Sequence, residues 1–102
     1  MIHVIAVLTA KPGKRDAMLK EFRANVANVK AETGCIEYGA AIDADPGPSF
    51  QAKYGADTFI VIEKWADVDA LRAHAAQPHM KAFGAKIKDL LANRAVYVLS
   101  PT

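Results

Sequence analysis

The chain has 102 residues and a mass of 11.0 kDa, which suits one domain with a single core. Hydrophobic residues make up 52% of it and charged residues 24%, so it is too apolar to be intrinsically disordered. A formal net charge of +2 argues against a nucleic-acid-binding surface, and a single cysteine excludes a disulfide scaffold or a cysteine-rich zinc module.

No apolar run reaches the roughly 18 residues that a membrane helix needs, and the N-terminal segment has no basic leader region. We therefore expect a cytoplasmic globular protein whose one domain spans residues 1–102, with neither membrane nor nucleic acid as a partner. Twenty residues are alanine, so much of the apolar content is small.

The first half of the chain predicts a strand, a helix and a strand. Residues 2–10 are apolar and rich in β-branched side chains, as in a strand. After a Lys-Pro-Gly-Lys turn signal, apolar residues at helical spacing predict a helix over 14–33, which Gly34 would end. Residues 35–43 predict a second strand, and 44–56 a long loop that is a candidate for function.

The second half repeats this order. Residues 57–65 are the clearest strand, and Asp67 suits the N-cap of a helix that Pro78 interrupts. A second helical stretch carries an apolar stripe that continues to Leu91, and residues 94–100 predict the last strand. The order βαββαβ predicts a ferredoxin-like α+β sandwich, with a four-stranded antiparallel sheet and its helices on one face.

Both faces of the predicted strands are apolar. In the first strand Val4 and Leu8 point to one face, while Ile5 and Val7 point to the other. Helices on one side cannot cover both faces, and monomers seldom expose apolar patches above a few hundred Å². We therefore expect a homodimer whose sheets pack face to face and could close into a barrel. The alternative is that the helices wrap further around the sheet.

The third strand ends on residues that suit a pocket wall. Glu63 and Trp65 share a face with apolar neighbours, so the only tryptophan could stack on an aromatic ligand. The plainer interpretation is a tryptophan at the edge of the core beside an exposed glutamate. Tyr38 is expected in the core with its hydroxyl on a polar partner, and Phe50 on the long loop could close over a ligand.

Two histidines flank the predicted helix break. On a straight helix His74 and His79 would point about 140° apart, so only the break at Pro78 could bring them together. Histidine can exchange a proton at neutral pH, which makes both candidates for acid–base chemistry; each could equally be a structural helix residue. We expect no metal site, because metal-ligand spacing is absent, and no nucleotide cofactor, because GxGxxG and P-loop motifs are absent. The GxSxG elbow of a serine nucleophile is absent as well.

Together these residues resemble the antibiotic biosynthesis monooxygenase family, and within it the small bacterial quinol monooxygenases. The resemblance is carried by residues 32–35, Tyr38, residues 49–50, residues 62–65 and the run from His74 to Met80. It implies a dimeric α+β barrel that oxidises quinols or polycyclic phenols with O₂ and without metal or flavin. By matching position it implies His74 or His79 as the base, with Glu63 orienting a histidine or a substrate hydroxyl, and an aromatic wall of Trp65, Tyr38, Phe50 and Phe83.

Other activities of the family match less well. The positions that haem-degrading members use hold Ala6, His74 and Gly84 here, so haem degradation is not expected. The leading hypothesis is a cofactor-independent monooxygenase of quinols or phenols. The alternatives are a cofactor-free isomerase of a small carbonyl compound and a non-catalytic dimeric module for ligand binding or stress.

Overall fold

The computed structural model describes all 102 residues and contains four strands and three helices. The strands form one antiparallel sheet in the order β2-β3-β1-β4, which confirms the predicted ferredoxin-like α+β fold. None of the helices is long and apolar enough to cross a membrane. In chain order the elements are β1 (Ile2–Ala10), α1 (Arg15–Lys30), β2 (Cys35–Ala41), β3 (Thr58–Trp65), α2 (Val68–Ala75), α3 (Pro78–Ile87) and β4 (Leu91–Leu99).

The core lies between the helices and the sheet face that they cover, which we call the inner face. Burial along β1 alternates strictly, and Ile2, Val4, Ala6, Leu8 and Ala10 are the buried set. Helix α1 covers this face with its own buried stripe of Met18, Leu19, Phe22 and Val29. Buried residues recur every two positions along the strand and about every 3.6 positions along the helix, so each element contributes one apolar face to a shared core.

The predicted helix ends are corrected at two places. Helix α1 stops at Lys30 because the backbone of Glu32 turns back onto Val29 and Gly34 adopts a φ of +85°. Helix α3 ends at Ile87, so the stripe does not continue to Leu91 as predicted; Leu91 starts β4 and pairs with Ala10 beyond an irregularity in the ladder. An apolar residue such as Leu91 suits both a helix stripe and a strand, and its pairing with Ala10 places it in the strand.

The opposite sheet face, which we call the outer face, carries no helix. Ile5 pairs with Ile62 on one side and with Tyr97 on the other, so these side chains share that face. Ile62 is 39% exposed and Tyr97 55% exposed. The outer face of a single chain is therefore an open apolar surface.

The loop between β2 and β3 is fixed by one carboxylate. Asp43 accepts hydrogen bonds from the backbone N–H groups of Gly55 at 2.9 Å and Tyr54 at 3.0 Å, and these hold its pKa below the ordinary value. Phe50, at the tip of this loop, is 89% exposed.

The turn between α1 and β2 packs closely against α2 at Gly34. A Cβ at Gly34 would lie 2.7 Å from the Cβ of Ala70, and the residue has positive φ; Gly13 also has positive φ, +78°, but faces open space. We expect Gly13→Ala to lower the free energy of unfolding by about 1–2 kcal/mol through backbone strain alone. Gly34→Ala adds overpacking, for a loss of about 2–4 kcal/mol. Urea denaturation measures both, and equal losses would contradict the close packing.

Candidate functional site

A cavity of about 230 Å³ lies between the inner face and the helices. Its walls are mostly aliphatic and aromatic, with four ionisable side chains, Tyr38, Glu63, His74 and Arg94. Val96 is half exposed on the edge strand β4, so the cavity opens at that edge. An apolar cavity with a few polar groups is the usual form of a small-molecule site.

A histidine and a carboxylate form the central contact of the site. His74 Nδ1 lies 2.8 Å from Glu32 Oε2, and both side chains are more than nine-tenths buried. Because a carboxylate only accepts hydrogen bonds, Nδ1 is the nitrogen that donates. The neutral ring is then left with an unprotonated Nε2, which has no partner in the protein on a residue that lines the cavity.

Local backbone structure explains why Glu32 reaches α2. The turn after α1 is held by the N–H of Ala66 donating to the carbonyl of Gly34 at 2.8 Å, and this places the turn beside the start of α2. Asp67 caps α2 by accepting from the N–H of Ala70 at 2.8 Å, as its sequence position predicts. About two turns after Asp67, α2 carries His74 over Glu32.

The second histidine reaches the same carboxylate from α3. His79 Nε2 is 3.3 Å from Glu32 Oε2, but the contact lacks hydrogen-bond alignment, so it is electrostatic. Its Nδ1 is 3.1 Å from the amide nitrogen of Asn25 on α1, which donates to it. The break between α2 and α3 thus brings His74 and His79 together, although only His74 lines the main cavity.

Glu63 and Trp65 form a buried pair behind His74. The indole Nε1–H of Trp65 donates to Glu63 Oε1 at 2.8 Å, and the Trp65 ring lies 4.7 Å from the His74 ring. Trp65 is fully buried and does not line the cavity, whereas Glu63 does. Burial raises the pKa of the Glu63 carboxyl despite the opposing effects of the Trp65 hydrogen bond and of His74.

The aromatic wall contains two of the predicted residues and one that was not predicted. Tyr38 stacks on Phe22 with ring centroids 5.3 Å apart, and Phe83 meets Phe22 edge-on at 6.4 Å. All three rings line the cavity. Burial, with the negative charges of Glu63 and Glu32, raises the pKa of the Tyr38 hydroxyl, so it remains a hydrogen-bond donor at neutral pH.

The structure separates Phe50 from the other predicted site residues. Phe50 projects from the β2–β3 loop and does not line the cavity of its own chain. No three His, Cys, Asp or Glu side chains are placed to share a metal ion.

Sequence reasoning missed the orienting role of Glu32 and the place of Arg94. Glu63 was expected to orient a histidine or a substrate hydroxyl, but the carboxylate hydrogen-bonded to His74 is Glu32. The sequence does contain a signal for Glu32, which comes just before the turn at Gly34. Because β2 starts directly after this turn and pairs with the end of β3, Glu32 lies near the end of β3. The position of Arg94 depends on the register of β4, which no local pattern gives.

Fold and site together define a ferredoxin-like α+β protein with a histidine–carboxylate pair beside an aromatic cavity. A family model for antibiotic biosynthesis monooxygenase matches residues 1–86. The chain is 35% identical to the "Probable quinol monooxygenase YgiN" of Escherichia coli K12, over 99% of this chain and 98% of that protein. The chain therefore belongs to the antibiotic biosynthesis monooxygenase family, which supports a monooxygenase-type function.

Solved structures agree with this assignment. PA3566 from Pseudomonas aeruginosa is 32% identical and superposes with a TM-score of 0.82, over 99% of this chain and 93% of that one. Rv0793 from Mycobacterium tuberculosis is 27% identical with a TM-score of 0.81, over 99% of this chain and 94% of that one. The family resemblance drawn from the sequence is confirmed.

Glu63 gives a stability test of its buried environment. Its raised pKa means that the folded state binds the proton more tightly than the unfolded state, so its contribution to stability falls as pH rises through and above the ordinary glutamate range of ~4.3. Glu63→Gln keeps an acceptor for Trp65 and cannot ionise. We expect this variant to unfold at higher urea than the wild type at pH 7, with the difference vanishing below about pH 4.

The control is Glu37→Gln, which removes a half-exposed carboxylate paired with Lys64 at 3.0 Å. It should show no such pH-dependent gain. A Glu63→Gln variant that is less stable than the wild type at pH 7 would contradict the assignment of burial as the dominant influence on Glu63.

Proposed function

We propose that this protein oxidises or oxygenates quinols or related phenols with O₂, using His74 as the general base. The observation that carries the proposal is the 2.8 Å contact between Glu32 and Nδ1 of His74, which leaves Nε2 free at the cavity. A carboxylate that fixes the tautomer of a histidine and stabilises its charged form is a recurrent arrangement for general bases.

The proposed first step is proton transfer. His74 Nε2 accepts the proton of a phenolic hydroxyl, and Glu32 offsets the positive charge that forms on the ring. The resulting phenolate is electron-rich and gives electrons to O₂ more readily than the phenol does. Positioned proton transfer of this kind contributes about 10²–10⁴-fold to rate.

The substrate supplies all the electrons of the proposed reaction. In the monooxygenase course, one oxygen atom of O₂ converts a ring C–H to C–OH, the hydroquinone becomes a quinone, and the other oxygen atom leaves as water. In the oxidase course, O₂ takes two electrons and two protons from the hydroquinone and leaves as H₂O₂. Both courses balance without an external reductant, so we propose that no cofactor takes part.

The cavity favours a small aromatic substrate. Its volume of about 230 Å³ lies below the ~300–1,000 Å³ usual for pockets that hold drug-sized ligands, which suits one or two fused rings. Phe22, Tyr38 and Phe83 present aromatic surface to such a ligand. Trp65 supports His74 from behind and is proposed as a positioning residue.

The outer face supports a homodimer. Ile62, Tyr97 and Leu99 leave 39–55% of their surface exposed on a sheet face with no helix. The charged side chains nearest the β2 edge of this face, Lys64 and Glu37, already pair with each other. We propose that a second copy of this chain packs its outer face against this one, because a two-fold interface lets one apolar surface cover itself.

The catalytic proposal is tested by O₂ uptake with reduced naphthoquinones, catalysed by metal-free protein. We expect uptake well above autoxidation, and a loss of about 10²–10⁴-fold in kcat for His74→Gln. Glu32→Gln, which removes the charge that stabilises the protonated ring, should also lower kcat, while His79→Gln should have a smaller effect because His79 does not line the main cavity.

The matched control is Arg72→Gln, which changes an exposed residue on the same helix as His74 that pairs with Asp69 and does not line the cavity. It should leave kcat unchanged. Uptake equal to autoxidation, or a His74→Gln variant with full activity, would refute the proposal. Product that forms equally well without O₂ would identify an isomerase instead.

The dimer proposal is tested by light scattering coupled to gel filtration. The wild type should elute at twice the chain mass of 11.0 kDa. A Tyr97→Glu, Leu99→Glu variant places two like charges on the outer face and should shift the protein to monomer. Val68→Glu, at an exposed apolar residue on α2, should remain dimeric. A wild type that runs as a folded monomer would contradict the proposal.

A further inference from the structure

Arg94 is the only cationic side chain other than histidine on the wall of the main cavity. It lies on the inner face of β4, directly across from Leu8. It is exposed at the edge where the cavity opens, and it takes part in none of the ion pairs of the protein. Its guanidinium group is therefore free to meet a ligand.

The strand register places Arg94 at the far end of the cavity from the proposed base. Leu8 pairs with Arg94, and Val4 pairs with Glu63. Since Leu8 and Val4 are four residues apart on β1, the two ends are separated by about 14 Å along the strand. Tyr38 pairs with Glu63, and its ring lies 5.7 Å from the His74 ring, so the acid–base groups cluster at one end.

This arrangement gives the cavity two chemically different ends joined by apolar walls. One end can hold a hydroxyl against His74, and the other presents an uncompensated guanidinium. A planar guanidinium binds a carboxylate through two parallel hydrogen bonds, which fixes orientation as well as adding affinity.

We propose that Arg94 binds a carboxylate of the substrate, so that the preferred substrates are hydroxylated aromatic carboxylates whose acid group lies on the ring edge opposite the reacting hydroxyl. The inference rests on the proposed function, because it assigns a substrate class to the same site. Arg94 is a specificity-determining residue in this scheme and takes no part in proton transfer.

The direct test measures binding without turnover. Fluorescence titration of the intact protein with 6-hydroxy-2-naphthoate and with its methyl ester compares a distal carboxylate with a neutral group of similar shape. We expect the acid to bind the wild type about tenfold more tightly than the ester, a modest value for a charged hydrogen-bonded pair at an open edge. Arg94→Gln should bind acid and ester equally, and Arg94→Lys should keep part of the preference.

The matched control is Arg72→Gln, which removes an equal charge from an exposed arginine on α2 that pairs with Asp69 and does not line the cavity. It should keep the full preference for the acid. Equal binding of acid and ester by the wild type, no binding of either, or a preference that survives Arg94→Gln would each overturn the assignment.

A second arm separates this inference from the catalytic proposal. O₂ uptake with 6-carboxy-1,4-naphthohydroquinone and its methyl ester should show a KM about tenfold lower for the acid, with similar kcat, and Arg94→Gln should equalise the KM values. Absence of O₂ uptake alongside an Arg94-dependent preference in binding would overturn the catalytic proposal alone. Normal uptake with no preference in either arm would overturn the role of Arg94 alone.

Discussion

The contact on which the site depends is the one between Glu32 and the two histidines that approach it from different helices. A buried carboxylate needs hydrogen-bonding or charged partners. His74 supplies a hydrogen bond at 2.8 Å, and Nε2 of His79 lies 3.3 Å from the same oxygen. In return the carboxylate fixes which nitrogen of His74 carries the proton. The interaction therefore contributes to the packing of the broken helix and sets the direction in which His74 can act as a base.

Much of the fold could be predicted from local patterns. The bounds of β1 follow its run of β-branched residues, and the break before Pro78 follows from the missing N–H of proline. The patterns did not give the end of α3, because an apolar residue such as Leu91 suits both a helix stripe and a strand. Its place was decided by pairing with Ala10, which is a long-range contact.

The site could be predicted only in part, because the positions of some of its residues also depend on long-range contacts. His74 and Tyr38, to which the family resemblance gave site roles, both line the cavity. Trp65 was expected to face a ligand, but its N–H is satisfied by Glu63 and its ring packs behind His74. The only sequence signal for Glu32 is its place just before the Gly34 turn. Arg94 reaches the cavity through the register of β4 on β1, which no spacing in the sequence reveals.

The tautomer of His74 shows most directly whether Glu32 determines which ring nitrogen carries the proton. Long-range ¹H–¹⁵N correlation spectra of histidine-labelled protein distinguish a protonated from an unprotonated ring nitrogen. We predict protonated Nδ1 and free Nε2 for His74, and the opposite tautomer for His79, whose Nδ1 accepts from Asn25. A His74 ring protonated on Nε2 would contradict the role of Glu32.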